Sequence, residues 1–290
     1  MTILQLLFNG LALGAAYALV ALGFVLVLNA TSAVNFAQGD MVMAGGYAGV
    51  ALAALLPVPG IVLLPLVLVV MAALGLLFSL VAYFPLMNRP PVSVFISTIA
   101  VGIILQNGVN VGFGPEPAAT PPMLTGGYWQ VGGLIVERQQ AAILLTAAVL
   151  ILAQHLLFHK TQFGRRLRAT AQDRDMARAL GIPVTRMIAA TFALAAALAG
   201  AAGLLLANKF FITPTDGTGY IIAAYIAVVI GGWGSIAGAV IGALMIAVFE
   251  VIVSAYISHT AAIAALYGAL LLVLLFRPQG LFGEAVRRRV

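Results

Sequence analysis

The sequence has 290 residues, of which 63% are apolar and only 8% are charged, and its formal net charge is +6. Soluble domains carry about 25% charged residues, so this composition excludes an ordinary soluble protein and indicates an all-α integral membrane protein. The absence of cysteine excludes disulfides and thiolate metal sites. Most of the basic residues lie in two segments, 160–186 and 277–290, which indicates membrane topology and not nucleic acid binding.

Long stretches without Asp, Glu, Lys or Arg predict where the chain crosses the membrane. A spanning helix needs about 20 apolar residues, so the longer charge-free runs have room for two crossings each. We predict a polytopic bundle of about eight or nine transmembrane helices, in which residues 31–56 either cross the bilayer or re-enter it. The predicted spans are about 3–28, 61–84, 92–113, 141–158, 187–208, 218–230, 234–256 and 260–276, with a glycine-rich helix at 41–56.

Close helix packing is predicted for the first span, where Gly10 and Gly14 form a GxxxG spacing. Two interruptions of the apolar sequence are equally distinctive. Residues 29–40, NATSAVNFAQGD, precede the glycine-rich helix, and GGWGS at 231–235 precedes a second one. Interrupted segments at corresponding points of two halves indicate a transport pathway built from repeats. The predicted pathway residues are Asn35, Gln38, Asp40, Gly231, Gly232, Gly234 and Glu250.

These residues also have structural interpretations. Asn35, Gln38 and Asp40 either line the pathway or cap a broken helix, because unwound backbone at membrane depth must be satisfied by protein or by a water-filled cavity. For the glycines, close helix packing is favoured over contact with a ligand. Glu250 continues a four-residue spacing of glycines, so it faces packed helices, and a buried structural acid is favoured over a substrate contact.

Residues 114–138 differ from the rest of the chain because they are rich in proline and in paired glycines. Within them, YWQV and LIVE are typical of short strands. The charged residues of this segment show no basic excess, as expected of a loop that has been translocated. We therefore predict an extracytoplasmic hairpin.

The basic segment 160–186 carries seven Lys or Arg residues against two acids, so it is predicted to stay cytoplasmic, together with the tail 277–290. Within it, Thr170 as a cap and Asp173 in the first turn predict the start of a short helix, and Gly181 predicts its end. Met176, Ala179 and Leu180 form a small apolar face on that helix. Such a face is covered either by the lipid surface or by another protein.

Several strings, taken together, resemble the permease subunits of ABC importers for branched-chain amino acids, the LivH-like group. They are FNGLALGAAYALVALGF, NFAQGD, GRRLRATAQDRDMARALGI, LAGAAGLLLA and GGWGSIAGAVIG, and they occur in the family's order over most of the chain. The resemblance implies a single permease domain, residues 1–290, in a bacterial inner membrane. It also implies a second similar permease, two cytoplasmic ATPase subunits and a periplasmic binding protein as partners. The implied ATPase-coupling residues are Asp173, Met176, Ala177, Leu180, Gly181 and Ile182.

No motif for chemistry on nucleotides or other substrates is present. The two lysines, Lys160 and Lys209, follow His159 and Asn208, so the sequence has no GK[ST] phosphate loop. We therefore expect a transport subunit, not an enzyme, with no cofactor, and with ATP hydrolysis in its partners. The expected cargo is a branched-chain or other hydrophobic amino acid; the alternatives are urea or short amides, and an ion-coupled secondary transporter. The last would need coupling carboxylates at the midplane, for which Glu250 is nearly the sole candidate.

Overall fold

The computed structural model describes residues 3–124, 127–131 and 134–282, and these residues form eleven α-helices and one two-stranded sheet. Three arginines of the predicted cytoplasmic tail and four residues of the predicted hairpin lie outside the described residues. The elements are α1 Ile3–Thr31, α2 Gln38–Leu55, α3 Gly60–Phe78, α4 Pro91–Phe113, β1 Tyr128–Val131, β2 Leu134–Glu137, α5 Arg138–Lys160, α6 Gln162–Gln172, α7 Arg174–Ala179, α8 Val184–Lys209, α9 Gly217–Gly231, α10 Ile236–Tyr256 and α11 His259–Phe276.

Seven of the described helices are long and apolar enough to cross a membrane, which confirms the predicted all-α membrane fold. They are α1, α3 with its extension to Leu86, α4, α5, α8, α10 and α11. The predicted number of eight or nine crossings is reached only when the shorter helix α9 and the less apolar helix α2 are included. The two predicted strands are confirmed as well, because β1 and β2 are the antiparallel strands YWQV and LIVE; their extracytoplasmic location stays a prediction.

The centre of the bundle is formed by α1 and α8, which are mostly buried, whereas α4 and α11 expose most of their apolar residues. α1 packs along α10 and α8, and α8 also contacts α2 and α3. The predicted close approach at the first span is confirmed, because Gly10 lies against Val248 and Gly14 against Leu244 of α10. Small residues at these points let the backbones meet, which is how helices associate where lipid provides no hydrophobic driving force.

The helices run between two ends of the bundle, which we call the hairpin end and the loop end. The hairpin end holds β1 and β2, together with Ala118 and Ile212, whose backbones exchange hydrogen bonds of 2.9 and 2.8 Å. The loop end holds α6 and α7, which follow α5. α1 starts at the hairpin end, where Gln140 donates to Asn9 Oδ1 at 2.8 Å. α10 runs antiparallel to α1, so both the basic segment and the described part of the C-terminal tail lie at the loop end.

Two of the helices begin inside the bundle, not at its surface. After α1, Ser32 adopts a left-handed backbone (φ 54°), and residues 32–37 turn back into the bundle. Gln38 then donates to the carbonyl of Ala195, about three turns into α8, so α2 starts about 16 Å from the loop end and runs to the hairpin end. Residues 31–56 therefore cross the bundle as a broken helix.

α9 mirrors this arrangement in the opposite direction. α8 reaches the hairpin end, residues 210–216 turn back, and α9 starts at Gly217, beside Gly39 and Asp40 of α2. It then runs to the loop end. The counterpart of the break before α2 is therefore segment 210–216, and not the GGWGS segment that the sequence suggested, which forms the turn between α9 and α10 at the loop end. The difference arises because a glycine-rich interruption of an apolar stretch is also typical of a turn between two helices, whereas the break at 210–216 contains no glycine.

Candidate functional site

The short helix α7 carries exposed apolar side chains at the loop end. Its N-terminal cap is Asp173, whose carboxylate accepts from the backbone N–H groups of Asp175 and Met176 at 2.9 Å each. The predicted cap, Thr170, is wrong, because α6 continues through it and its buried hydroxyl donates to the Arg166 carbonyl at 2.9 Å. A threonine that bonds back to the preceding turn is compatible with a helix interior.

The end of α7 is as predicted. Gly181 has φ +76°, and the Ile182 N–H returns to the Ala177 carbonyl at 2.9 Å. This backbone geometry favours glycine, because a Cβ is strained at positive φ.

The predicted coupling residues divide into a buried side and a free side. Ala177 is buried and Ile182 is half-buried against the core, whereas the side chains of Met176 and Leu180 are 59% and 72% exposed. The predicted third member of the apolar face, Ala179, is exposed too. The buried side attaches α7 to the bundle, so the free side is available to a partner outside it.

Arg174 connects α7 to the transmembrane helices. Its guanidinium donates to the Tyr83 hydroxyl at 3.1 Å. Tyr83 is buried at the end of a π-helical turn, Ser79–Tyr83, that extends α3, and its ring lies 5.4 Å from that of Phe192 in α8. π-helical turns occur frequently at functional sites. The sequence pattern did not identify Tyr83, because nothing in its neighbourhood distinguishes it from a membrane-interface tyrosine.

Asn35 and Gln38 have their hydrogen-bond partners inside the protein. Asn35 accepts from the Ala37 N–H at 3.1 Å and donates to Gln38 at 3.4 Å, and Gln38 donates to the Ala195 carbonyl at 3.1 Å. Both side chains are buried. Of the two interpretations that the sequence left open, this geometry favours the one in which they hold the broken helix in place.

Asp40 lies where the N-termini of α2 and α9 meet. It is 7% exposed, and Gln106 of α4 donates to its carboxylate at 2.7 Å. Gly102 and Gly217 leave the space that the carboxylate occupies, since a Cβ at either position would overlap it. Helix N-termini carry a partial positive charge, so two of them stabilise a negative charge at this depth.

The glycines that were predicted for the pathway lie in the turn between α9 and α10. Gly231 packs against the backbone of Gly238, and Gly232 and Gly234 have φ values of +119° and +81°. The Gly234 carbonyl accepts from Asn29 at 2.9 Å. These contacts match the close-packing interpretation of the sequence.

A cavity of about 780 Å³ lies between α1, α9, α10 and α11, and residues 210–216 border it near the hairpin end. Of the predicted pathway residues, only Glu250 lines it, and that side chain is 9% exposed. Tyr17, Asp216 and Tyr220 also line the cavity. Sequence reasoning missed these three, although an acid after Thr-Pro-Thr at 213–215 is a signal for a break in an apolar region.

Broken helices around a central buried acid, and a short helix with exposed apolar side chains at the loop end, are features of a polytopic membrane permease. The family model described as "Branched-chain amino acid transport system / permease component" matches residues 6–275, so the chain belongs to that family. This confirms the resemblance found in the sequence.

Relatives agree over nearly the whole chain. The high-affinity branched-chain amino acid transport system permease LivH of Salmonella typhimurium is 36% identical, covering 97% of this chain and 96% of its own. The corresponding BraD protein of Pseudomonas aeruginosa is 34% identical with the same coverage. Among solved structures, PsaBC from Streptococcus pneumoniae in complex with Fab has a TM-score of 0.52 at 14% identity, covering 96% of this chain and 92% of its own. That likeness shows the fold alone.

Proposed function

We propose that this chain is the permease subunit of an ATP-driven importer that moves branched-chain or other hydrophobic amino acids across a bacterial inner membrane. The observation that carries the proposal is the family match over residues 6–275, with relatives that are named as branched-chain amino acid permeases. Urea or short amides and ion-coupled transport are the alternatives, and neither is named among these relatives.

The proposed assembly contains a second, similar permease, two cytoplasmic ATPase subunits and a periplasmic binding protein. Met176 and Leu180 would dock on an ATPase at the loop end, which places the basic segment and the C-terminus in the cytoplasm. This orientation agrees with the positive-inside rule, because the loop end holds the basic segment and the opposite end holds the hairpin without a basic excess.

In this mechanism, movement of the ATPase pulls on α7, and the pull passes to the bundle through two contacts. Arg174 bonds to Tyr83 in the π-helical turn, and Tyr83 packs on Phe192 of α8. α8 in turn lies against α1, α2 and α3. A displacement of α7 would thereby move the helices that surround the buried break. This movement would switch the permease between its outward-open and inward-open states.

The assembly is tested by purifying the tagged protein from its native host and reconstituting what comes with it. We expect stoichiometric ATPase and sister permease subunits, and leucine uptake into liposomes that needs both ATP and the binding protein. Uptake by this chain alone, driven by an ion gradient, would contradict the proposal.

The Arg174 contact has its own expected result. Tyr83→Phe keeps the ring but removes the acceptor, and a lost hydrogen bond of this kind is worth about 0.5–1.5 kcal/mol. We expect the number of amino acids transported per ATP hydrolysed to fall roughly twofold to tenfold. Tyr256→Phe, at an exposed position of α10, is the matched control and should leave the ratio unchanged. An unchanged ratio in Tyr83→Phe would show that the hydroxyl has no part in coupling.

A further inference from the structure

The cavity between α1, α9, α10 and α11 has the size and composition of a site for a small amphipathic molecule. Its volume of about 780 Å³ falls within the usual range of small-molecule sites, about 300–1,000 Å³. Most of its wall is aliphatic or aromatic, with Leu13, Ile226 and Leu266 contributed by three different helices. The wall therefore suits a branched aliphatic group.

Glu250 is the polar feature of this wall that needs an explanation. It is 91% buried, given its 9% exposure, and no Lys or Arg is among the residues that line the cavity. Among the described residues, the ion pair found is Arg178 with Asp175, which lies at the loop end. A carboxylate at membrane depth costs several kcal/mol unless a positive charge or hydrogen-bond donors accompany it. Tyr17 lies next to it and supplies a single hydroxyl.

The other acid of the cavity is already engaged. Asp216 accepts from the Thr213 N–H at 2.7 Å and from the Thr213 hydroxyl at 2.6 Å, and these bonds fix the segment before α9. Glu250 accepts no comparable hydrogen bonds from the backbone of the described residues. Among the described residues, the cavity thus offers one acid without a Lys or Arg beside it, in a mostly apolar wall where His259 is the nearby basic group.

We propose that this cavity binds an aliphatic α-amino acid directly, with its ammonium group on Glu250 and its branched side chain against the wall of Leu13, Ile226 and Leu266. The ammonium provides a permanent positive charge, which His259 carries only when it is protonated, and the aliphatic group replaces water on the apolar surface. Tyr220 and His259 also line the cavity and are two of the donors available to the α-carboxylate. The site deepens the proposed function and rests on it, because it takes an amino acid as the cargo.

The position of the cavity fits the receiving side of an importer. Phe210, Phe211 and Thr215 border it, and they belong to the segment that pairs with Ala118 at the hairpin end. Glu250 itself lies six residues before the end of α10, about 9 Å along the helix axis. An amino acid released at the hairpin end would reach Glu250 before it reaches the buried break around Asp40.

The test measures binding to the purified permease–ATPase complex without the binding protein. Radiolabelled leucine binding is measured on wild type, Glu250→Gln and Glu116→Gln; Glu116 is an exposed acid near the hairpin end that does not line the cavity. We expect Glu250→Gln to weaken leucine binding at least tenfold and Glu116→Gln to leave it unchanged. Equal affinity in wild type and Glu250→Gln, or no binding by wild type, would overturn the site.

A competition experiment on wild type keeps the test independent of how well the variant folds. 3-Methylbutylamine keeps the ammonium and the branched chain of leucine, whereas 4-methylpentanoate keeps the carboxylate and the chain. We expect the amine to displace leucine and the acid not to. Displacement by the acid alone would overturn the assignment to Glu250. ATP-driven leucine uptake by the complete wild-type importer is measured in parallel: if that uptake is absent, the proposed function fails, and if it is present, a negative binding result counts against the site alone.

Discussion

Replacing both Met176 and Leu180 with aspartate should abolish ATP-driven uptake while the protein still inserts and folds. The two residues are 59% and 72% exposed, so the change disturbs little of the packing within the described chain. An ATPase groove that buries them would gain two desolvated carboxylates, at a cost of several kcal/mol. A loss of several kcal/mol in the free energy of ATPase binding reduces transport by at least a hundredfold.

The measurement is leucine uptake by the reconstituted complex, together with the amount of ATPase that copurifies. The matched control is Gln162→Asp with Ala171→Asp, which adds the same two charges at exposed positions of α6. We expect the control to retain both uptake and ATPase binding. Normal uptake by the Met176 and Leu180 variant would show that the ATPase binds another part of the permease.

A second large effect is expected where α2 crosses α8. Gly203→Val should prevent stable folding, because a side chain there would overlap the Val42 carbonyl oxygen and come within 2.7 Å of the Gly46 nitrogen. Both obstacles are backbone atoms, so they can yield only if the two helices separate. Separating them would also displace the bond between Gln38 and Ala195 that holds the break.

Gly268→Val in α11 is the control, because no atom lies within 4 Å of a Cβ at that position. The measurement is the yield of monodisperse protein in mild detergent and its thermal unfolding. We expect Gly203→Val to lose nearly all folded protein and Gly268→Val to match the wild type. A folded Gly203→Val protein would mean that α2 and α8 are packed less tightly than their backbones indicate.

The sequence predicted those parts of the fold that depend on composition and charge. The apolar runs located the spans, the basic segment located α6 and α7, and Gly181 marked the end of α7 because its backbone requires φ > 0. What it missed depends on tertiary contacts. Thr170 has the chemistry of a cap, but its hydroxyl bonds backwards inside α6 once that helix packs on the bundle.

The candidate site was predictable only in part, for the same reason. Glu250 could be found as an acid in an apolar stretch, yet the cavity beside it is formed when α1 packs with α9, α10 and α11, which are about 200 residues further along the chain. The Arg174 and Tyr83 contact joins residues that are 91 positions apart. A local sequence pattern cannot predict a contact over that separation. The cavity and the Arg174–Tyr83 contact are therefore seen only in the folded structure.

The paired broken helices also bear on how the protein is made. α9 has 15 residues and is about 23 Å long, which is shorter than the roughly 30 Å of hydrocarbon, because it starts inside the bundle beside Asp40. α2 carries Gln38 and Asp40 in its first turn, and both make it less apolar than the long spans. We therefore expect α2 to enter the bilayer together with α1, and α9 together with α8. Membrane insertion is then expected to follow two cooperative steps, each of which delivers a long helix with its short companion.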